Sequence, residues 1–117
     1  MNRVPSPIDF VALLEMLGGE KQVVDSLLSK FAEELTADLA ASELAMVDHD
    51  AGTLGKIAHR IKGTSANLHA LILSAAAREF EQACREADAS LMKIKQQVMS
   101  EQARAVQEAI ESWTGES

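Results

Sequence analysis

Tyrosine is absent, aromatic residues make up only 3 % of the chain, and both prolines stand before residue 8. Strand-rich domains draw on aromatic and β-branched runs, so this scarcity, set beside abundant alanine and leucine, favours an all-helical domain. A single cysteine, Cys84, excludes an internal disulfide, and a cytoplasmic location is expected. No apolar run approaches the ~20 residues of a membrane span, and the apolar stretch 68–77 reads as core. Residues 1–7 lack the apolar segment of a signal peptide, and the start at Met1 favours a whole gene product. Positive charge is also scarce. Lys and Arg number 11 against 18 Asp and Glu, a net charge of −7, whereas a nucleic-acid binder normally carries a basic face.

What is present suffices for one core. With 117 residues, 47 % of them hydrophobic, residues 1–117 should form a single domain with flexible ends at 1–5 and 114–117. Its charge is uneven: exposed positions from Lys56 to Lys62 are basic, while acids crowd 33–50 and 79–88. Such an island suits docking against an acidic pocket, although charge alone is equally consistent with an ordinary mixed surface.

The spacing predicts five helices. The first spans 7–17, with Ser6 as N-cap, Pro7 at the first helical position, Asp9 near the positive dipole end and Gly18–Gly19 as terminator. The second runs from about Glu20 to Ala45 on a face of Val23, Val24, Leu27, Leu28, Phe31, Leu35 and Leu39, with Met46 and Val47 closing the turn. Asp50 should cap the third, which ends near Leu68 or His69. The fourth, about 71–87, carries Ile72, Ala76, Phe80, Cys84 and Ala87. The fifth, about 91–112, carries Ile94, Val98, Met99, Ala103, Val106, Ile110 and Trp113, interrupted by Gln102. Four long helices with short loops predict an antiparallel up-down-up-down four-helix bundle, capped at one end by the short N-terminal helix.

The third helix is the informative one. Leu54, Ile57, Ala58, Ile61, Ser65 and Leu68 fall on one stripe, and His59 lies about 150° from its centre, so it should face water. Its helical neighbours are Gly55, Lys56, Lys62, Gly63 and Ala66. Glycine costs about 1 kcal/mol relative to alanine inside a helix, so local stability does not account for Gly55 and Gly63. They clear the approach to the imidazole, and the lysines favour an arriving anion. Ser65 should bond back to its own helix. Cys84, on a buried stripe, should be an inert small hydrophobe. His49, His59 and His69 recur every ten residues, about 1000° of helix, so they do not share a face and no metal site is expected.

His59-x-x-Lys62-Gly63-x-Ser65 resembles the H-x-x-K-G-x-S signature of histidine phosphotransfer (HPt) domains. The likeness continues through Ala66-Asn67-Leu68 and Ala70, and Phe80–Glu81 resembles the hydrophobic–Glu/Gln pair of the family's next helix. In pattern it spans roughly residues 8–112. One position departs: His69 stands where the family usually has glycine, and histidine is among the few other residues enriched in left-handed backbone.

The resemblance implies a phosphocarrier rather than an enzyme. Nε2 of His59 would take a phosphoryl group from an aspartyl phosphate of a response-regulator receiver domain and pass it to another receiver, in a two-component relay headed by a hybrid sensor histidine kinase. An ordinary imidazole is mostly neutral at pH 7, and phosphoryl transfer asks chiefly for positioning and charge. No cofactor is implied on this chain; Mg2+ and the acid pocket would belong to the receiver. Lys62 would steady the phosphoryl oxygens, and Gly55, Lys56, Arg60, Gly63 and Ala66 would form the docking surface. Glu81 or Arg85 could support the ring through Nδ1, or the two could merely pair with each other. No nucleic acid or membrane partner is expected, and a monomer is. The rival reading is a helical interaction module that kept the bundle but binds without phosphotransfer. A histidine kinase fragment lacks support, since no ATP-binding glycine motif is present.

Overall fold

In the computed structural model, which describes residues 6–114, Asp9 rather than Ser6 opens the first helix, α1 (Phe10–Met16). Its Oδ1 accepts from the Ala12 N–H at 3.0 Å, placing a carboxylate at the positive helix end. Ser6 instead donates its hydroxyl to the Ile8 carbonyl at 2.6 Å, which keeps 6–8 in a bend. The loose ends expected at 1–5 and 115–117 lie outside the described residues, whereas Thr114, placed with the fraying end, is still helical. Gly18 and Gly19 take φ of +72° and +78°, a conformation that glycine adopts without steric cost.

The second helix, α2 (Lys21–Val47), runs two residues past the expected end, so Met46 and Val47 are helical and Val47 faces solvent instead of closing the turn. Asp50 caps α3 (Ala51–Asn67) as predicted, accepting from the Thr53 N–H at 3.0 Å and the Thr53 hydroxyl at 2.7 Å. His69 ends this run with φ +59°, and its carbonyl accepts the Asp9 N–H at 3.0 Å, tying α1 to the α3–α4 corner. Next come α4 (Leu71–Glu86), closed by Ala87 at φ +50°, and α5 (Ala89–Thr114), capped by Asp88.

Helices α2 to α5 pack each against the next, α2 also against α5, and α1 against α2. This is the four-helix bundle with a short N-terminal helix, and the described residues contain no strand. Val24, Leu28, Phe31 and Leu35 meet Leu54, Ile57, Ile61, Leu73, Phe80, Met99, Val106 and Ile110 in one core. Each such side chain contributes about 1.5–3 kcal/mol on full burial. At one end, Phe10 stacks on Trp113 with ring centroids 4.7 Å apart, and Trp113 Nε1 donates to Asp25 at 2.9 Å. These contacts join α1, α2 and α5.

Several stripe positions are corrected. Val23, Leu27, Ile72, Ala87, Ile94 and Val98 face solvent. The seam is taken by their neighbours Val24, Leu28, Leu73 and Met99, and by Met92 and Ala83. Between α2 and α5 the seam is also partly polar, with Gln96 donating to Ser100 at 3.1 Å and Ser42 at 3.5 Å.

Candidate functional site

The α3 stripe is buried as the spacing predicts. Leu54, Ile57, Ala58, Ile61 and Ser65 point into the bundle, and the His59 side chain is 67 % exposed on the opposite face. Against that exposure, one edge of the ring is firmly held. His59 Nδ1 lies 2.8 Å from Oε2 of Glu81 on α4, a residue only 6 % exposed. A buried carboxylate needs partners, and Glu81 has three: Lys62 Nζ sits 2.7 Å from Oε1, and Arg85 Nη2 is 3.2 Å from the same Oε2 that meets the imidazole.

Lys62 first, then His59 and Arg85, hold the Glu81 carboxyl below the usual carboxylate range, against a burial effect that pushes it up. An ionised carboxylate can only accept hydrogen bonds, so Nδ1 carries the ring proton and donates it. In the neutral ring this tautomer leaves the Nε2 lone pair available. Of the two candidates for holding the ring, Glu81 is the one whose carboxylate lies against Nδ1, and Arg85 pairs with Glu81.

Around the ring, Gly63 and Ala66 are exposed, and a Cβ built at Gly63 would meet nothing within 4 Å. Gly55 is half-buried and faces α4, where a Cβ would stand 3.6 Å from Cys84 Cβ in ordinary contact. The basic island is less positive than its sequence suggests. Arg60 is bound to Asp38 on α2 and Lys62 to Glu81, while Lys56 has no hydrogen-bond or ion-pair partner among the described residues. Asp38 was not foreseen, and neither was Ser74, whose hydroxyl donates to the Lys62 carbonyl at 2.9 Å and ties α3 to α4. Neither contact has a signal in the spacing, because each joins residues on different helices.

A family model, the Hpt domain, matches residues 26–113. The chain belongs to the Hpt domain family. Curated proteins and solved structures give no match to it. As an Hpt domain it is a histidine phosphotransfer module of the phosphorelay kind, and Hpt domains are phosphocarriers that work with receiver domains and kinases. No described helix is long and apolar enough to cross a membrane.

The remaining sequence candidates are accounted for as follows. Ser65 is fully buried, and its hydroxyl has no hydrogen-bond partner among the described residues, so the expected bond to its own helix is absent. It serves as a small side chain in the α3 seam. Cys84 is buried, and burial, with the nearby Glu81 charge second, pushes its thiol up to about 11, which suits an inert packing residue. His49 and His69 occupy separate helix ends, each with positive φ. Among the described residues no three His, Cys, Asp or Glu gather as metal ligands.

Proposed function

We propose that His59 is the phosphoryl-accepting residue of this Hpt domain, taking the group from a receiver's aspartyl phosphate and handing it to another receiver. The observation that carries this is the contrast at the ring: an imidazole two-thirds exposed whose Nδ1 is nevertheless held 2.8 Å from a buried carboxylate. In the forward step the Nε2 lone pair forms the N–P bond. The P–O bond to the receiver's aspartate breaks, and that carboxylate leaves with the electron pair. The ring, still protonated at Nδ1, becomes a phosphoimidazolium, and Glu81 stands in place to offset its positive charge. Return transfer to a second receiver reverses each change.

In this reading Lys62 acts twice. It keeps Glu81 ionised and aimed, and, one helical turn from His59, its charge is near enough to favour phosphoryl oxygens. Gly55, Lys56, Arg60, Gly63 and Ala66 form the surface on which the receiver seats, with Gly63 and Ala66 the open part. The transfer metal, Mg2+, belongs to the receiver. Binding without transfer has no observation in its favour, since His69 adopts the left-handed backbone that a glycine would take. The test is incubation with a phosphorylated receiver domain. The reading expects an acid-labile, base-stable label on the wild-type chain and none on His59→Gln; equal labelling of both would refute it.

A further inference from the structure

Between the first turns of α3 and the end of α4 runs an open cleft of about 410 Å³ that includes His59, within the size range of ordinary binding pockets. Small residues, Ala51, Gly52 and Gly55, line its α3 side, and Lys56 and Arg85 bring its cations. The charges around it are not equivalent. Arg85 and Lys62 are both engaged by Glu81, and Arg60 outside the cleft is engaged by Asp38. Of these four, Lys56 is the one with no hydrogen bond or ion pair among the described residues. The nearby acid, Asp50, is committed to the Thr53 N–H and hydroxyl.

We infer that this cleft is a socket for an acidic side chain of the docking receiver domain, with Lys56 as its counter-charge. The inference rests on the proposed phosphotransfer role and adds to it the chemistry of the partner surface. The chain carries a net charge of −7, so an acidic partner is repelled over most of its surface. One cation with no hydrogen bond or ion pair among the described residues, felt by Asp50 only at longer range, stands beside the reactive ring and gives that partner a preferred landing point, and rim charges of this kind set association and salt dependence. The glycines keep the α3 side low. A methyl at position 55 would reach ordinary contact distance from Cys84, narrowing the space beside the lysine.

The test takes a receiver domain that binds the wild-type chain, chosen from a panel, and measures two quantities. These are its dissociation constant at low and high salt, and the limiting transfer rate at saturating phosphorylated receiver. The socket predicts that Lys56→Glu weakens binding by about tenfold or more at low salt and flattens the salt dependence. Lys56→Arg should restore binding, and Lys30→Glu, an exposed change on α2, should leave it unaltered. The loss should lie in binding more than in the limiting transfer rate, since rim charges act on encounter. Unchanged binding in Lys56→Glu would overturn the socket, as would a fall confined to the limiting rate, which would place Lys56 on the phosphoryl group instead. Because binding is measured without transfer, a wild-type chain that takes no label would refute the proposed function while the binding ratios still judge the socket.

Discussion

Replacing Glu81 by Gln preserves shape and one accepting oxygen while removing the charge that three neighbours share. A hydrogen bond to a charged group contributes about 1.5–3 kcal/mol and a neutral one about 0.5–1.5, so the Lys62 contact should lose roughly 1–1.5 kcal/mol. The Arg85 pair, with its guanidinium two-thirds exposed, adds no more than about 0.5 kcal/mol after solvent screening. The total, about 1–2 kcal/mol, corresponds to a fall of roughly 4–8 °C in Tm for a domain of this size. The loss should depend on pH. Glu81 is held below its ordinary value of 4.5, so its contribution is full above that pH and is lost as pH falls through the lower folded value. In thermal melts of both proteins from pH 7 downward, the gap should therefore narrow as pH falls below 4.5. A gap that persists unchanged at low pH would mean the cost is packing and not charge; no gap at pH 7 would remove the electrostatic argument. The transfer rate should also fall by at least about tenfold, because a neutral amide offsets the phosphoimidazolium less well.

Two further substitutions probe residues whose backbone or size is unusual. Gly63→Gln adds a side chain in open space and replaces a poor helix former, so stability should rise by roughly 0.3–1 kcal/mol while receiver-to-protein transfer falls. A Tm measurement and a transfer assay on the same variant check this, and normal transfer would refute the idea that position 63 is kept clear for access. His69→Gly relieves a left-handed residue, a conformation costing about 1–2 kcal/mol for residues with a Cβ, partly offset by glycine's greater unfolded-state entropy. A net gain of about 0.5–1 kcal/mol is expected in denaturant melts, and a loss would mean that the His69 side chain contributes more packing than its backbone costs.

The α3 helix was legible because its pattern is unambiguous: bulky apolar residues occupy one stripe and charged or small residues the rest. In α4 the run Leu71–Ile72–Leu73 offers three adjacent apolar choices, and only Leu73 is buried. The alanines that follow bury too little surface to fix the phase from sequence. In α5 the choice between Val98 and Met99 is settled by what α2 and α4 present to it. The Ser42–Gln96–Ser100 contacts also put polar atoms in a seam that a hydrophobic pattern cannot register. At the site, the exposure of His59, Gly63 and Ala66 could be read from helical geometry, whereas the packing of Gly55 toward α4 could not. That Glu81 would be buried, and would gather Lys62, His59 and Arg85 at once, depends on the approach of α4 to α3, since Glu81 stands 19 and 22 residues from Lys62 and His59.

The most direct measurement is the location of the phosphoryl group itself, by 31P and 15N NMR on the chain after transfer from a phosphorylated receiver. With Nδ1 held by Glu81, a single phosphohistidine at Nε2 of His59 is predicted, and none on His49 or His69. Phosphate at Nδ1 of His59, or on any other residue, would contradict the account.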